Sequence, residues 1–142
     1  MTAYKVDGKI TAHFSVEEMC NPSCSEAVKL VLSPEAIEHA QMMEELRVWY
    51  NKPMTVNCWY RSKTWNAKVG GTAKSGHLFA RATDIGLGEV TDSQWKNFCT
   101  KWADICKQHG KIGEIGRYAW GIHFGSAGEK YGFKSFYKFD KR

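Results

Sequence analysis

The stretch from Thr91 to His109 leaves little choice about its own conformation, and through it about the fold. Thr91 and Gln94 stand at capping-box spacing. Trp95, Phe98, Cys99, Trp102, Ile105 and Cys106 then recur every three or four residues, which aligns them in one stripe along a helix. Gly110 supplies the stop, and Lys107 and His109 put cationic side chains into the last turn, where the helix dipole favours them. An aromatic stripe this wide has to be covered, so the chain needs a second layer.

Other segments can supply it. Ser33, Pro34 and Glu35 open a second helix that runs to about Tyr50, with Ile37, Ala40, Met43, Leu46 and Tyr50 on its expected buried face. A shorter helix begins at Ser15, where Glu18 closes a capping box and Phe14 can staple onto Met19, and it ends at Pro22. After Pro53, Met54, Val56, Cys58 and Tyr60 alternate with Thr55, Asn57 and Trp59, the period of a strand. A loop with Asn66, Gly70, Gly71, Thr72, Ser75 and Gly76 leads to a second strand over 80–87, in which Ala80, Ala82 and Asp84 share one face and Thr83, Ile85 and Leu87 the other. Residues 112–118 and 120–124 read as two short strands joined by a tight turn near Ala119 and Trp120, and residues 131–139 add a last one. Helices, then strands, a helix and more strands make an α+β fold: a small antiparallel sheet packed with helices. With no repeat or linker, residues 1–142 are expected to form one domain.

Composition removes several function classes. No run of ~18 apolar residues exists to span a membrane. Met1 to Ile10 lacks the apolar segment of a secretory signal, so synthesis in the cytoplasm is expected, with any action outside it depending on release by something else. The net charge of +5 favours anionic partners such as nucleic acid or cell wall, but the basic residues are spread out except for Lys134, Lys138, Lys141 and Arg142 at the C-terminal end. Nucleic acid is the weaker choice: of six tryptophans, Trp95 and Trp102 belong to the helix core, which leaves fewer to stack on bases. Five cysteines cannot all pair, and Cys99 and Cys106 fall on the apolar helix stripe as buried thiols. Cys20 and Cys24 flank a turn near His13, but no second Cys/His pair follows at zinc-finger spacing. A reducing place of synthesis fits this usage.

Among five histidines, His13 and His39 lie in helical or pre-helical positions without a partner pattern, and His109 is a helix C-terminal cation. His77 and His123 lie near glycines at or in expected strands, where a side chain can face a cleft. A hydrolytic zinc takes three N or O donors and keeps a fourth position for water. His77 and Asp84, seven residues apart, with Asp84 on the same face as the small Ala80 and Ala82, and His123 on a distant strand would provide that donor set.

The residues around them extend the pattern. Tyr60-Arg61-Ser62, Asn66, Val69-Gly70-Gly71, Ser75-Gly76-His77-Leu78 and Ala80-Arg81-Ala82-Thr83-Asp84-Ile85, followed by Gly113-Glu114-Ile115-Gly116-Arg117-Tyr118 and Ile122-His123, resemble the M15 peptidase family, the zinc D-Ala-D-Ala carboxypeptidases and phage L-alanyl-D-glutamate endolysins. Phe14 to Met19 is similar to the family's opening, so the resemblance spans roughly Phe14 to Gly125. It implies a hedgehog/D,D-peptidase type of α+β domain, a Zn2+ cofactor on His77, Asp84 and His123, and hydrolysis of peptidoglycan stem peptides. Arg61 then matches an arginine near the substrate, able to polarise the scissile carbonyl or fix a carboxylate, and Ser75 the serine of the motif, placed to orient the loop or the substrate. The resemblance further implies a phage or prophage endolysin, made in the cytoplasm and released by a partner such as a holin; a monomer is the expectation, though the sequence does not give the oligomeric state. Which bond is cut is not written in these motifs.

Three positions depart from the family pattern. Ala80 stands for its glycine, Trp120 for an acidic residue three before the final histidine, and Gly125 for an aspartate two after it. Glu114 is the substitute carboxylate. With the turn at Ala119 and Trp120, Tyr118 pairs with Gly121 and Gly116 with His123, which sets Glu114 one diagonal step from His123, as a general base. The competing expectation is a zinc-containing module that binds wall peptide or protein without cutting.

Overall fold

Local capping chemistry sets where the helices begin. In the computed structural model, which describes residues 9–20, 33–61, 63–71 and 75–142, Ser15 and Glu18 exchange hydrogen bonds of 2.9 and 3.0 Å at the start of α1 (Val16–Cys20). Ser33 Oγ accepts the Ala36 N–H at 3.1 Å ahead of α2 (Pro34–Tyr50). A short α3 (Lys63–Lys68) follows. The reciprocal Thr91–Gln94 box, at 2.8 and 3.1 Å, opens α4 (Asp92–Gln108). Pro22, Cys24 and Thr72 lie outside the described residues, as does the side chain of Cys20.

The stripe on α4 is buried as its period requires: Phe98, Cys99, Trp102, Ile105 and Cys106 are in the core, with Trp95 half-buried. The face of α2 is rotated from the expected one. Met42 and His39 are buried, while Ile37 is 37% exposed and Tyr50 half-buried. His39 can turn inward because both ring nitrogens find hydroxyls there, Ser126 Oγ at 2.7 Å and Thr83 Oγ1 at 3.0 Å. Its ring also sits edge-on to Trp59 and Trp102. A polar ring with both nitrogens paired is cheap to bury.

Among the described residues, five strands form one sheet in the order β1-β2-β4-β3-β5: β1 (Thr55–Cys58), β2 (Ala82–Gly86), β3 (Glu114–Tyr118), β4 (Gly121–Gly125) and β5 (Tyr137–Asp140). The hairpin pairs Tyr118 with Gly121 and Gly116 with His123, the register expected from its turn. The sheet departs from the antiparallel expectation at one edge, because β5 runs parallel to β3. After β4 the chain turns back through a 3-10 turn at Gly128–Tyr131, where Gly128 N–H donates to Ile112 O, and Tyr137 N–H then meets Gly113 O. It therefore reaches β3 from that strand's beginning. The second strand is also shorter than expected, since Ala80 closes a 3-10 turn at Gly76–Phe79 in a left-handed conformation and pairing begins at Ala82. Thr83, Ile85, Ile115, Ile122 and Phe124 are fully buried on the face covered by α2 and α4. Asp84, Gly116 and His123 lie on the opposite face. No described helix is long and apolar enough to cross a membrane.

Candidate metal centre

The register lays one residue from each strand in a row across the open face: Cys58, Asp84, His123, Gly116 and Phe139. Asp84 and His123 are direct cross-strand partners. Cys58 enters the row because the β1–β2 register shifts between Val56 and Cys58, and a bulge of this kind re-aims a side chain. Gly116 leaves space that Phe139 fills: a Cβ there would collide with that ring, which reaches the His123 imidazole at 5.9 Å between centroids.

His77 comes from outside the sheet. Ser75 Oγ accepts the His77 N–H at 3.2 Å, Gly76 N–H donates to the Tyr131 hydroxyl at 2.8 Å, and Ala80 closes the turn in a left-handed conformation (φ 56°). The turn holds His77, 3% exposed, against Asp84. His77 Nδ1 lies 2.6 Å from Trp59 O. A carbonyl only accepts, so Nδ1 carries the proton and Nε2 is left as the lone-pair donor. That Nε2 is 3.4 Å from Asp84 Oδ2, and His123 Nδ1 is 2.7 Å from Asp84 Oδ1. The three residues picked out by the sequence thus meet, with the two imidazole rings 5.3 Å apart.

Asp84 dominates the electrostatics of the three groups. Burial works to raise the Asp84 carboxyl, but hydrogen bonds and charge from His123 and His77 outweigh it and hold the group well below the usual carboxylate range. Burial works against charge on both imidazoles. Asp84, helped by Cys58, nonetheless lifts His77 above its ordinary value, and Asp84 with Glu114 lifts His123 far higher. Two buried imidazoles and one buried carboxylate suit zinc, which takes this N and O set with a fourth position open. Among the described residues, the three whose possible donor atoms all lie within 4.8 Å of one another are Cys58, His77 and Asp84, with His123 reaching the group through Asp84 Oδ1. The thiol, however, approaches His77 at Nδ1 (3.7 Å), the nitrogen already committed to Trp59 O.

Arg61 is anchored close by. Its N–H donates to His77 O at 2.9 Å, and its Nη1 donates to Asn66 Oδ1 at 3.2 Å. A Cβ at Gly71 would come within 2.9 Å of the guanidinium, so glycine keeps that space clear. The Arg61 Nε is buried and has no hydrogen-bond partner among the described residues. Ser75 is buried and spends its hydroxyl on the turn. Glu114, 5% exposed, faces His123 from β3, with Oε2 at 3.5 Å from Nε2. Sequence reasoning missed Cys58, whose alternation with Val56 hides the bulge, and Tyr131, which was assigned to a strand.

The sequence model of the family described as Peptidase M15 matches residues 12–123. A zinc D-Ala-D-Ala carboxypeptidase from Streptomyces albus G is 38% identical over 60 residues, 42% of this chain and 21% of that protein. The shared segment therefore spans about a fifth of that relative's length.

Proposed function

Because the chain belongs to the peptidase M15 family, we propose that it hydrolyses an amide bond in peptidoglycan stem peptides with zinc held by His77, Asp84 and His123. The observation that carries this is the convergence of His77 Nε2 and His123 Nδ1 on the two oxygens of Asp84. Zinc held there supplies Lewis-acid chemistry, polarising the scissile carbonyl and acidifying water. The chain's own residues do the rest. Trp59 O fixes the His77 tautomer, and the Ser75-capped turn holds its ring in place. Arg61, anchored beside His77 by its backbone N–H to His77 O, is the residue assigned to a substrate carboxylate or carbonyl. The named activity of the Streptomyces albus G relative supports both the metal and a substrate containing D-amino acids.

The same reading extends to a wall-lytic enzyme of phage or prophage type. The net charge of +5 and the exposed Lys134, Lys138, Lys141 and Arg142 suit an anionic wall. The test starts with metal content in protein purified without chelator, comparing wild type with His77→Ala. About one zinc per chain, lost in the variant, is the expected result for an open three-donor site, followed by release of new termini from a panel of stem peptides. A wild type that takes up no zinc even when resupplied would sink the reading. Bound zinc with no cleavage of any stem peptide would favour a wall-binding module, a reading that the absence of acids at Trp120 and Gly125 supports.

A further inference from the structure

The two imidazoles of the centre are held in matching ways, and the second holder is Glu114. His77 has its outer nitrogen on a carbonyl and its inner nitrogen toward Asp84. His123 has its inner Nδ1 on Asp84 Oδ1 and its outer Nε2 toward Glu114 Oε2. For Nδ1 to offer a lone pair beside Asp84 and His77, the ring proton must sit on Nε2, where the facing acceptor is Glu114. The carboxylate meets the ring on the side away from Asp84. The imidazole therefore lies between the Glu114 carboxylate and Asp84, which is poor placement for taking a proton from water held on the Asp84 side.

The backbone explains how the carboxylate arrives. Glu114 pairs directly with Gly125, and Gly116 with His123. A Cβ at Gly125 would stand 2.5 Å from Glu114 Cγ and 2.6 Å from Oε1. Gly125 is not among the residues with positive φ, so glycine is needed there for room and not for backbone conformation. The space it leaves on β4 is taken by the glutamate of β3. Glu114 Oε1 is buried and has no partner among the described residues, a costly arrangement unless the carboxylate serves an interaction.

Resting on the metal reading above, we propose that Glu114 is a positioning residue: seated in the space left by Gly125, it accepts the Nε2–H of His123 and so presents Nδ1 to the metal. The present 3.5 Å is ion-pair range, and a shift of about 0.5 Å brings it to hydrogen-bond length.

Zinc affinity, measured by competition with a chromophoric chelator, separates the possibilities. Glu114→Ala should weaken zinc by about 10–100-fold, the usual loss when such a partner of a metal-bound histidine is removed. Glu114→Gln keeps the volume and an accepting oxygen, so its affinity should stay within about threefold of wild type. Zinc-free circular dichroism and thermal unfolding of both variants identify any that fail to fold, and Glu114→Gln carries the test if the alanine variant does. Wild-type affinity in Glu114→Ala would overturn the proposal alone. So would a Glu114→Gln enzyme that holds zinc but loses about 100-fold in turnover, because that is the signature of a general base. A Glu114→Gln protein with zinc affinity as poor as the alanine variant's would also overturn it, since an accepting oxygen would then not suffice. A wild type that binds no zinc would fail the metal reading first and this proposal with it.

Discussion

Ala80 holds a left-handed backbone at φ 56° without being glycine. For an L-residue that conformation costs roughly 1–2 kcal/mol, and the methyl's burial returns about 0.8 kcal/mol. Ala80→Gly should therefore be neutral to stabilising by about 1 kcal/mol, read from urea unfolding of the zinc-free protein. A clear loss of stability would show that the methyl's packing outweighs the strain. Cys58 makes a second case at this scale. Its Sγ lies on the nitrogen of His77 that donates to Trp59 O, so Cys58→Ser should keep zinc stoichiometry and affinity within about threefold, against the 10–100-fold expected for a lost supporting contact. A cobalt-substituted wild type with a thiolate charge-transfer band that vanishes in Cys58→Ser would instead put the thiol on the metal. Neither feature could be read locally. An alanine carries no signal for left-handed φ, and a bulge leaves the alternation of Met54, Val56 and Cys58 intact while changing what the last of them faces.

At the scale of elements, what the sequence revealed tracks the range of the interaction. The capping boxes of α1 and α4 are each complete within four residues, so their starts were readable. The β3–β4 register follows from one tight turn, and with it the meeting of Glu114 and His123. The burial of His39 was hidden, because its partners Ser126 and Thr83 lie 87 and 44 residues away. The parallel pairing of β5 depends on a return path that no local pattern encodes. His109, read as a helix-terminal cation, gains a further role by tying the end of α4 to Glu38 and Glu45 on α2. Burial opposes its charge, but the hydrogen bonds it donates to Glu45 and Glu38 win and raise it above 6.5. A raised folded value means that the stability it contributes is full below the unfolded value of 6.5 and is lost as pH rises through the folded one. The advantage of wild type over His109→Gln in thermal unfolding should accordingly be larger near pH ~5.5 than near pH ~8.5. An advantage that does not change with pH would mean that His109 contributes by packing alone.

At the scale of the molecule, the sheet separates two tasks. One face carries the hydrophobic core under α2 and α4, and the other carries the row from Cys58 to Phe139. Loading the centre should stabilise the whole fold by mass action, by about 2.7 kcal/mol at a hundredfold excess over Kd, visible as a zinc-dependent rise in Tm that His77→Ala abolishes. The direct pairing of Asp84 with His123 carries a consequence of another kind. These residues are 39 apart in sequence, so an ion shared by them acts as a removable cross-link between β2 and β4, closing a long loop as a disulfide would. Chelation should then speed amide exchange most along β2 and β4, where local opening adds to the global loss felt by α4. The folded state would retain its shape without the metal and lose the fastening at its centre first.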